Sequence, residues 1–404
     1  MYKGALALML AIIGVLAFVV ALLLSVMLHE LGHFLFAKHY GMKVTEFFLG
    51  FGKRLWSFTR GETEFGVKAI PAGGYCRIVG MSSREELTAE DSDRAFYKAS
   101  VGKRLVVLGA GSVLHFVLAF FLLFVLFVGV GTAALTPTVE QVAPCYTTVN
   151  GACPANAPAM PAKVAGILPG DRFTAINGVP VKNWAKDVQV IRKSPGVPVT
   201  LTLIRNGATM DVFVTPTPEV VNGKTVGIIG VINRLGMLRQ NPVDSTIHSW
   251  QLGRDLFTSS VSSLISLPSK IPALLSQTFG GKPRDPSGLV GVVGVAQASA
   301  QTVGDSKLAW NERIAQFIMI IASLNIFVGI FNLLPILPLD GGHMAIAIVD
   351  GLRNLWARVR RRQSPRPIDV EALTPITIVV FVFLAGLSIL LLAADIFNPV
   401  HFNL

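Results

Sequence analysis

Charged residues are scarce in this sequence of 404 residues. Asp, Glu, Lys and Arg together make up 15% of it, against about 25% in soluble domains. Hydrophobic residues make up 52%. This imbalance argues against a soluble globular protein and favours one that meets lipid. The net charge of +11 does not indicate nucleic-acid binding, because the basic residues flank the apolar stretches, so we expect no nucleic-acid partner.

Four stretches carry almost no charge and are long enough to cross a bilayer, which takes about 20 apolar residues. They are Gly4–Leu28, Leu105–Leu135, Ile314–Ile336 and Leu373–Ala394. The first is too long for the apolar region of a signal peptide, which is the alternative at this position, so we expect it to be retained. The sequence therefore predicts a polytopic α-helical membrane protein with about four transmembrane helices.

Positive residues are distributed unevenly around these stretches. Residues 34–104 hold 12 Lys/Arg and 8 Asp/Glu, residues 343–372 hold 6 and 3, and only Lys3 precedes the first stretch. Lys and Arg near the ends of a span favour the cytoplasmic side. We therefore expect both loops to be cytoplasmic and both termini to lie outside. The long segment 136–312 carries little weight here, because long domains cross largely regardless of charge.

A metal-binding pattern ends the first stretch, where His29-Glu30-Leu31-Gly32-His33 fits H-E-x-x-H. On a helix, residues four apart share a face, so both imidazoles can reach one metal ion. Zinc suits imidazole ligands, and a catalytic zinc site needs a third protein ligand and an open position for water. The alternative is two helix-end histidines near a polar interface.

Asp340 follows the third stretch, on the side where His29 is expected. The two residues lie 26 and 25 positions after the starts of spans that run in the same direction, so their depths match. Pro335 and Pro338 prevent a regular helix before Asp340. Such irregular backbone at membrane depth is tolerated where it is buried or lines a cavity. Asp340 is therefore the candidate third ligand; the alternative is a loop aspartate that caps the next helix.

These two motifs together resemble the site-2 protease family of intramembrane zinc peptidases, particularly the actinobacterial members with one PDZ domain, over nearly the whole chain. The resemblance implies that His29, His33 and Asp340 bind one Zn²⁺ ion. It also implies that Glu30 is the catalytic base and that Asn332 handles the substrate. The implied location is a bacterial cytoplasmic membrane, with the active site near the cytoplasmic face.

The same resemblance implies the partners. Substrates would be single-span membrane proteins already shortened outside, typically anti-sigma factors. Cutting them would release cytoplasmic fragments that change transcription, which is regulated intramembrane proteolysis. The lipid bilayer is the other expected partner.

A glycine-rich segment, residues 65–75, alternates partly like strands and resembles the family's re-entrant β-hairpin on the cytoplasmic side. A sheet edge could hold an unwound substrate by β-augmentation, with Gly73 and Gly74 at the substrate. An ordinary cytoplasmic hairpin is the alternative.

The second span departs from the family pattern. It carries Gly111-Ser112-Val113-Leu114-His115 where the family usually has Gly-Pro-x-x-Asn. Two roles remain open for His115: an extra metal ligand, or a buried histidine bonded to a neighbouring helix.

Residues 136–235 form a predicted extracytoplasmic β-rich domain. Asn177-Gly178 and Asn206-Gly207 are turn signals beside alternating runs, and the second predicts a hairpin of Val199–Arg205 with Met210–Val214. The order resembles a PDZ domain of the permuted bacterial kind, which either binds a peptide ligand or acts as a size filter.

Two of the three cysteines, Cys145 and Cys153, lie on the predicted outer side, eight residues apart. A disulfide persists there, so we expect one between them; two free thiols are the alternative. Cys76 is expected to be cytoplasmic and unpaired.

The sequence thus divides into eight segments. They are the first transmembrane helix with the metal motif (1–34), a cytoplasmic re-entrant β region (35–103), the second transmembrane helix (104–135), the PDZ-like domain (136–235), an extracytoplasmic interfacial segment (236–312), the third transmembrane helix (313–342), a cytoplasmic amphipathic helix (343–372), and the fourth transmembrane helix with the C-terminal tail (373–404).

The predicted function is zinc-dependent peptide hydrolysis in the membrane. Two other classes remain open. An intramembrane metal transporter also uses buried His and Asp, but it needs ligands along a route across the bilayer. A catalytically silent scaffold that recruits partners through its PDZ-like domain has no need of a base at Glu30.

Overall fold

A computed structural model describes residues 2–81, 86–146, 153–154, 157–221, 223–285, 288–363, 368 and 370–400. The helices are α1 (Tyr2–His39), α2 (Ala89–Asp93), α3 (Val101–Val125), α4 (Pro161–Val164), α5 (Trp184–Asp187), α6 (Gln189–Arg192), α7 (Pro242–Ile265), α8 (Leu267–Phe279), α9 (Val292–Gly304), α10 (Trp310–Asn332), α11 (Asp340–Val359) and α12 (Thr374–Phe397). The strands are β1 (Val44–Arg60), β2 (Thr63–Ile78), β3 (Thr132–Val142), β4 (Arg172–Ile176), β5 (Val179–Pro180), β6 (Val199–Arg205), β7 (Ala208–Val214), β8 (Thr217–Val221), β9 (Lys224–Ile228) and β10 (Val231–Leu238). Phe96–Lys98 and Val370–Leu373 form short 3-10 helices, and Leu126–Val130 is π-helical.

The chain forms two compact units. One combines Met1–Gly129 with Gln240–Leu404, and the other is Val130–Arg239. The first unit contains the metal motif and all the long apolar helices.

Four helical segments among the described residues are long and apolar enough to cross a bilayer, as predicted. They are Ala5–His39, Val101–Val130, Trp310–Asn332 and Thr374–Phe397. Their apolar side chains stay exposed on the outer faces: Leu16 is 59% exposed, Val117 56% and Ile378 55%. Exposing these apolar side chains to water would cost free energy, whereas contact with lipid does not. The helices therefore have the character of a polytopic membrane protein.

The second apolar helical segment, Val101–Val130, begins and ends earlier than the predicted range 104–135. Its helical backbone ends at Val130, and Thr132 already begins β3. Gly131 makes this transition with a φ of 94°, which glycine adopts without steric penalty. A side chain there would come within 2.9 Å of the backbone of Leu238. The apolar run thus continues into a strand, because Gly131 turns the chain and the neighbouring strand pairs with it.

Strands β1 and β2 form an antiparallel sheet with repeated register shifts. Because of these shifts, residues 46–49 have partners on both sides: Phe47, for example, lies opposite both Cys76 and Phe65. The segment 74–78 has partners in β1 only. Among the described residues, no second strand pairs with the other edge of that segment.

The sheet is anchored to α1 and α3 by a small apolar core. Its buried members are Ala37, Met42, Val44, Ile78, Phe96, Val107 and Leu108. They come from the end of α1, the turn after it, the outer ends of β1 and β2, the 3-10 helix Phe96–Lys98 and the first turns of α3. This core fixes β2 next to the part of α1 that carries the metal motif.

Helix α10 ends at Asn332, and α11 begins at Asp340 after an irregular turn. The prolines at 335 and 338 lie in this turn, where their missing N–H groups interrupt no helix. The helix predicted within residues 343–372 thus begins earlier, at Asp340, and ends at Val359. Its outward face is apolar, with Ile348, Leu352 and Leu355 all more than 40% exposed.

The second unit contains a sheet in the order β10-β3-β4-β6-β7, with β5 beside β4, and a separate β8–β9 pair. The predicted hairpin of β6 and β7 is confirmed, with Leu203 opposite Met210. Its turn residues Asn206 and Gly207 have φ values of 49° and 83°, as a type I′ turn requires. The core includes Phe173 stacked on Trp184, with ring centroids 5.2 Å apart. The unit is a small β-rich domain of PDZ-like character.

Cys145 and Cys153 form a disulfide in this second unit. Cys76 is a free cysteine on β2, in the first unit.

Candidate metal centre

His29 and His33 lie one turn apart near the end of α1, and both are only 7% exposed. Their Nε2 atoms are 3.1 Å apart, and their rings meet edge to face with centroids 4.7 Å apart. This is the arrangement that a spacing of four residues gives on one helix face.

Asp340 reaches the same point from α11. Its Oδ2 lies 3.1 Å from Nε2 of His29 and 3.3 Å from Nε2 of His33. The N-cap of α11 is Leu339, and Asp340 is the first helical residue, so its carboxylate is not used as the cap. The predicted alternative of a capping aspartate therefore does not describe this residue.

The glycines after Asp340 make its position possible. A side chain at Gly341 would collide with the carbonyl groups of Leu333 and Leu334, and one at Gly342 would come within 2.6 Å of the backbone nitrogen of Leu337. The chain therefore folds back on itself too tightly for any residue larger than glycine. This turn aims Asp340 at the two histidines.

The three ligand atoms form a triangle with sides of 3.1, 3.1 and 3.3 Å. Zinc–ligand bonds of about 2.0–2.1 Å at tetrahedral angles separate two ligand atoms by about 3.3 Å. The triangle thus matches one face of a zinc tetrahedron and leaves the fourth position open. Among the described residues, His29, His33 and Asp340 are the group that could hold a metal ion, so the donor set and its geometry fit zinc.

His33 is oriented by a backbone carbonyl. Its Nδ1 donates to the carbonyl oxygen of Val107 on α3, 2.8 Å away. An imidazole that donates from Nδ1 presents an unprotonated Nε2, which is the form that binds a metal. His29 lacks such an acceptor: its Nδ1 is buried and has no hydrogen-bond partner in the described structure.

Glu30 lies beside the triangle, close enough to interact electrostatically with all three ligands. Its carboxylate is next to the backbone N–H of Cys76 on β2. A Cβ added at Gly74 would come within 3.3 Å of its Cγ. The strand therefore passes directly along the side chain of Glu30.

The remaining predicted substrate residues are more peripheral. Gly73 has a φ of 139°, and a Cβ there would lie 3.0 Å from the ring of Phe51. Asn332 is the last residue of α10 and is partly exposed. No hydrogen bond joins its side chain to another described residue.

Two glycines at the site, Gly32 and Gly111, indicate a close contact between α1 and α3 that the sequence analysis did not predict. A Cβ at Gly32 would lie 2.7 Å from the backbone of Ala110, and one at Gly111 would lie 2.8 Å from Nε2 of His33. Small residues let two helices approach closely. Gly32, inside the metal motif, and Gly111, on α3, thus mark the place where α1 and α3 cross.

His115 lies next to the cluster and is hydrogen-bonded to a neighbouring helix. It is 2% exposed, and its ring centroid is 5.1 Å from that of His29. Its Nδ1 is 2.7 Å from Oδ1 of Asn325 on α10. This bond to a neighbouring helix is the second of the two roles left open by the sequence.

Comparisons with known proteins cover almost the whole chain. It matches the model of peptidase family M50 over residues 17–366. It is 34% identical to zinc metalloprotease Rip1 of Mycobacterium tuberculosis over 409 residues, 97% of this chain and 99% of that protein. It is 36% identical to zinc metalloprotease Rip1 of Mycolicibacterium smegmatis over 408 residues (96% and 98%). It is 25% identical to the regulator of sigma-E protease RseP of Salmonella typhimurium over 432 residues (83% and 90%).

Proposed function

Because this chain belongs to peptidase family M50 and is a zinc metalloprotease, we propose that His29, His33 and Asp340 hold its zinc ion and that Glu30 is its general base. The observation that carries this proposal is the triangle of Nε2, Nε2 and Oδ2 atoms with Glu30 beside it. The ligands gather at one point instead of following a route, which favours hydrolysis over metal transport.

When bound, zinc polarises a carbonyl and makes a water molecule more acidic. Glu30 takes the proton of the attacking water and passes it to the leaving amine, as a general acid–base group does. Burial of His29 and His33 excludes bulk water from one side of the site, so the charges there are weakly screened. The hydrogen bond to Val107 selects the neutral tautomer of His33 in which Nε2 carries no proton.

We propose that the substrate binds as an extended strand along the edge of residues 74–78 that no other described strand covers. A peptide must be unwound before its carbonyl can reach the zinc site, and a strand edge supplies backbone hydrogen bonds to any sequence. Gly74 lets this strand pass close to Glu30, because a Cβ at Gly74 would lie 3.3 Å from Cγ of Glu30, and Gly73 precedes it on the same strand. Asn332, eight residues before Asp340 and partly exposed at the end of α10, also contacts the substrate.

We propose single-span membrane proteins of the anti-sigma type, already shortened outside, as substrates. Four membrane-length helices and a metal site at the end of one of them support a substrate that is itself embedded in the membrane. One relative bears the name regulator of sigma-E protease. The released fragment enters the cytoplasm and changes transcription. The PDZ-like domain lies outside, where it binds peptide ends or filters substrates by size.

This orientation is tested with topology reporters. The Lys/Arg distribution supports an orientation with both termini outside and the loop 343–372 inside. A reporter fused after Leu404 should read as extracytoplasmic, and one inserted at Arg361 should read as cytoplasmic. The reverse readings would overturn the inward-facing active site.

The catalytic proposal is tested with Glu30→Gln in the purified full-length protein. Gln keeps the size of the side chain but removes its basicity. Bound zinc should stay at the parent level, while cleavage of a single-span membrane protein should fall about 10²–10⁴-fold, the contribution of general acid–base catalysis. Uncut substrate should accumulate on the enzyme.

Two further variants complete this test. Asp340→Asn should lower zinc content as well as activity, because it removes a charged ligand. Glu140→Gln, at an exposed position in β3, should change neither. Undiminished cleavage with Gln at position 30 would eliminate Glu30 as the base, and a parent protein without zinc would eliminate the metal site.

A further inference from the structure

The two histidines of the proposed zinc site are held differently. A histidine that binds a metal through Nε2 carries a proton on Nδ1, and it nearly always donates that proton to an acceptor. His33 does so to Val107. Nδ1 of His29 is equally buried but has no partner among the described residues. A buried donor without an acceptor is costly, so this atom requires an explanation.

The free edge of His29 is turned toward α3. A Cβ built at Gly111 would lie 2.5 Å from Cε1 and 2.6 Å from Nδ1 of His29. His115 follows Gly111 by four residues, so it lies on the same face of α3 one turn further along. The rings of His29 and His115 have centroids 5.1 Å apart and are tilted by 37°.

The protonation of His115 is set by Asn325. The amide nitrogen of Asn325 donates to the carbonyl oxygen of Ile321, 2.8 Å away, and to Oγ of Ser25, 3.1 Å away. A carbonyl oxygen can only accept, so this side of the amide is the nitrogen and the other side is Oδ1. Oδ1 must therefore accept from Nδ1 of His115. Neutral His115 then carries its proton on Nδ1 and presents Nε2 as an acceptor.

Nδ1 of His29, which has no acceptor among the described residues, thus lies on the ring next to that of His115, whose Nε2 can accept a hydrogen bond. An N–H···N bond of about 2.9 Å between two imidazoles separates their centroids by about 5 Å. The observed 5.1 Å allows that bond after rotation of the rings, with the helices left in place.

We infer that His115 is a positioning residue for the zinc ligand His29, whose Nδ1–H it accepts at Nε2. Ser25, Asn325 and His115 form a brace across three helices, α1, α10 and α3, that ends at the metal site. The inference rests on the proposed metal site. It gives His115 a role distinct from coordination, because its ring orients a ligand and contributes none of its own atoms to the zinc ion.

The test compares His115→Leu with His115→Gln in the purified full-length protein. Leu removes the acceptor, whereas the amide oxygen of Gln occupies the region of Nε2. Loss of an outer hydrogen bond to a ligating histidine typically weakens metal affinity about 10–100-fold. We expect that loss for Leu in a chelator competition with zinc, and near-parent affinity for Gln. Val113→Ala, on the exposed face of the same helix (54%), is the control.

A second measurement separates positioning from general destabilisation. With Co²⁺ in place of zinc, the visible absorption reports the arrangement of the ligands. The Leu variant should change this spectrum, and the Gln and Val113 variants should keep it. Parent-like affinity and spectrum in the Leu variant would overturn the inference while leaving the zinc site intact.

If Leu at position 115 prevents folding, His115→Asn replaces it, because Asn carries its acceptor at the Nδ1 end of the imidazole instead. Zinc held as tightly by the Asn variant as by the Gln variant would then overturn the inference. A parent chain that binds no zinc would instead refute the metal site on which it rests.

Discussion

Gly111 lies directly against the imidazole of His29: a Cβ at Gly111 would come within 2.5 Å of Cε1 and 2.6 Å of Nδ1. Two helices far apart in sequence thus meet at the metal site with no side chain between them. The position of His29 therefore depends on the absence of a side chain at residue 111 of α3.

Gly111→Ala should lower zinc affinity and cleavage together. The added methyl group has no space beside His29 and displaces its ring. Gly109→Ala is the matched control, because its nearest neighbour would be Cε of Met344 at 3.8 Å, an ordinary contact. Both changes raise the helix propensity of α3 equally. Chelator competition measures the zinc affinity of the two variants. Equal affinities would mean that α3 shifts to accommodate the methyl group without moving His29.

Asp395→Asn should destabilise the protein strongly. Asp395 is fully buried at the end of α12, where it accepts hydrogen bonds from Gly291 (3.0 Å), Gly294 (2.8 Å) and Arg284 (3.2 Å). Neutralising it leaves the charge of Arg284 buried and unpaired, which costs about 3–5 kcal/mol. Asp255→Asn breaks an exposed pair with Arg254, worth about 0–1 kcal/mol. The free energy of unfolding in detergent micelles measures the effect of both variants. A similar decrease in the two would contradict a large contribution from the buried pair of Asp395 and Arg284.

Glu62 should make unfolding depend on acidity. Hydrogen bonds from Arg94, at 2.6 and 2.7 Å, and from Lys38 lower the pKa of Glu62 to about 2. A lowered pKa stabilises the fold at pH above the ordinary value of 4.5, and this stabilisation disappears as pH falls toward 2. For a largely solvated group it is about 1 kcal/mol.

The matching variant is Glu62→Gln. Its free energy of unfolding should be lower than that of the parent at pH 7, and the difference should shrink between pH 4.5 and 2. A difference that stays constant with pH would show that the three charges contribute nothing to stability.

Alkylation of the three cysteines should distinguish them. Burial raises the pKa of the Cys76 thiol, so the native protein should react slowly at pH 8. After denaturation without reduction we expect one alkyl group, on Cys76, and after reduction three. Intact mass spectrometry counts them; three groups without reduction would exclude the disulfide of Cys145 and Cys153.

Much of the site could be predicted from local patterns. A spacing of four residues on a helix determines that His29 and His33 share a face, whatever surrounds them. The matched depths of His29 and Asp340 followed from counting along two spans. The β6–β7 hairpin followed from Asn206-Gly207, because few other dipeptides adopt positive φ at both turn positions.

What the tertiary structure decided is how the helices are rotated against one another. The acceptor for His33 is the carbonyl of Val107, which any residue type would supply, so no side chain marks it. His115 and Asn325 are 210 residues apart, and their pairing depends on the crossing of α3 and α10. The sequence by itself determined which groups can bind a metal. How these groups are held was decided by the close approach of α1 and α3 at Gly32 and Gly111. Such packing depends on residues far apart in the chain, and the periodic pattern within one helix does not show which of them meet.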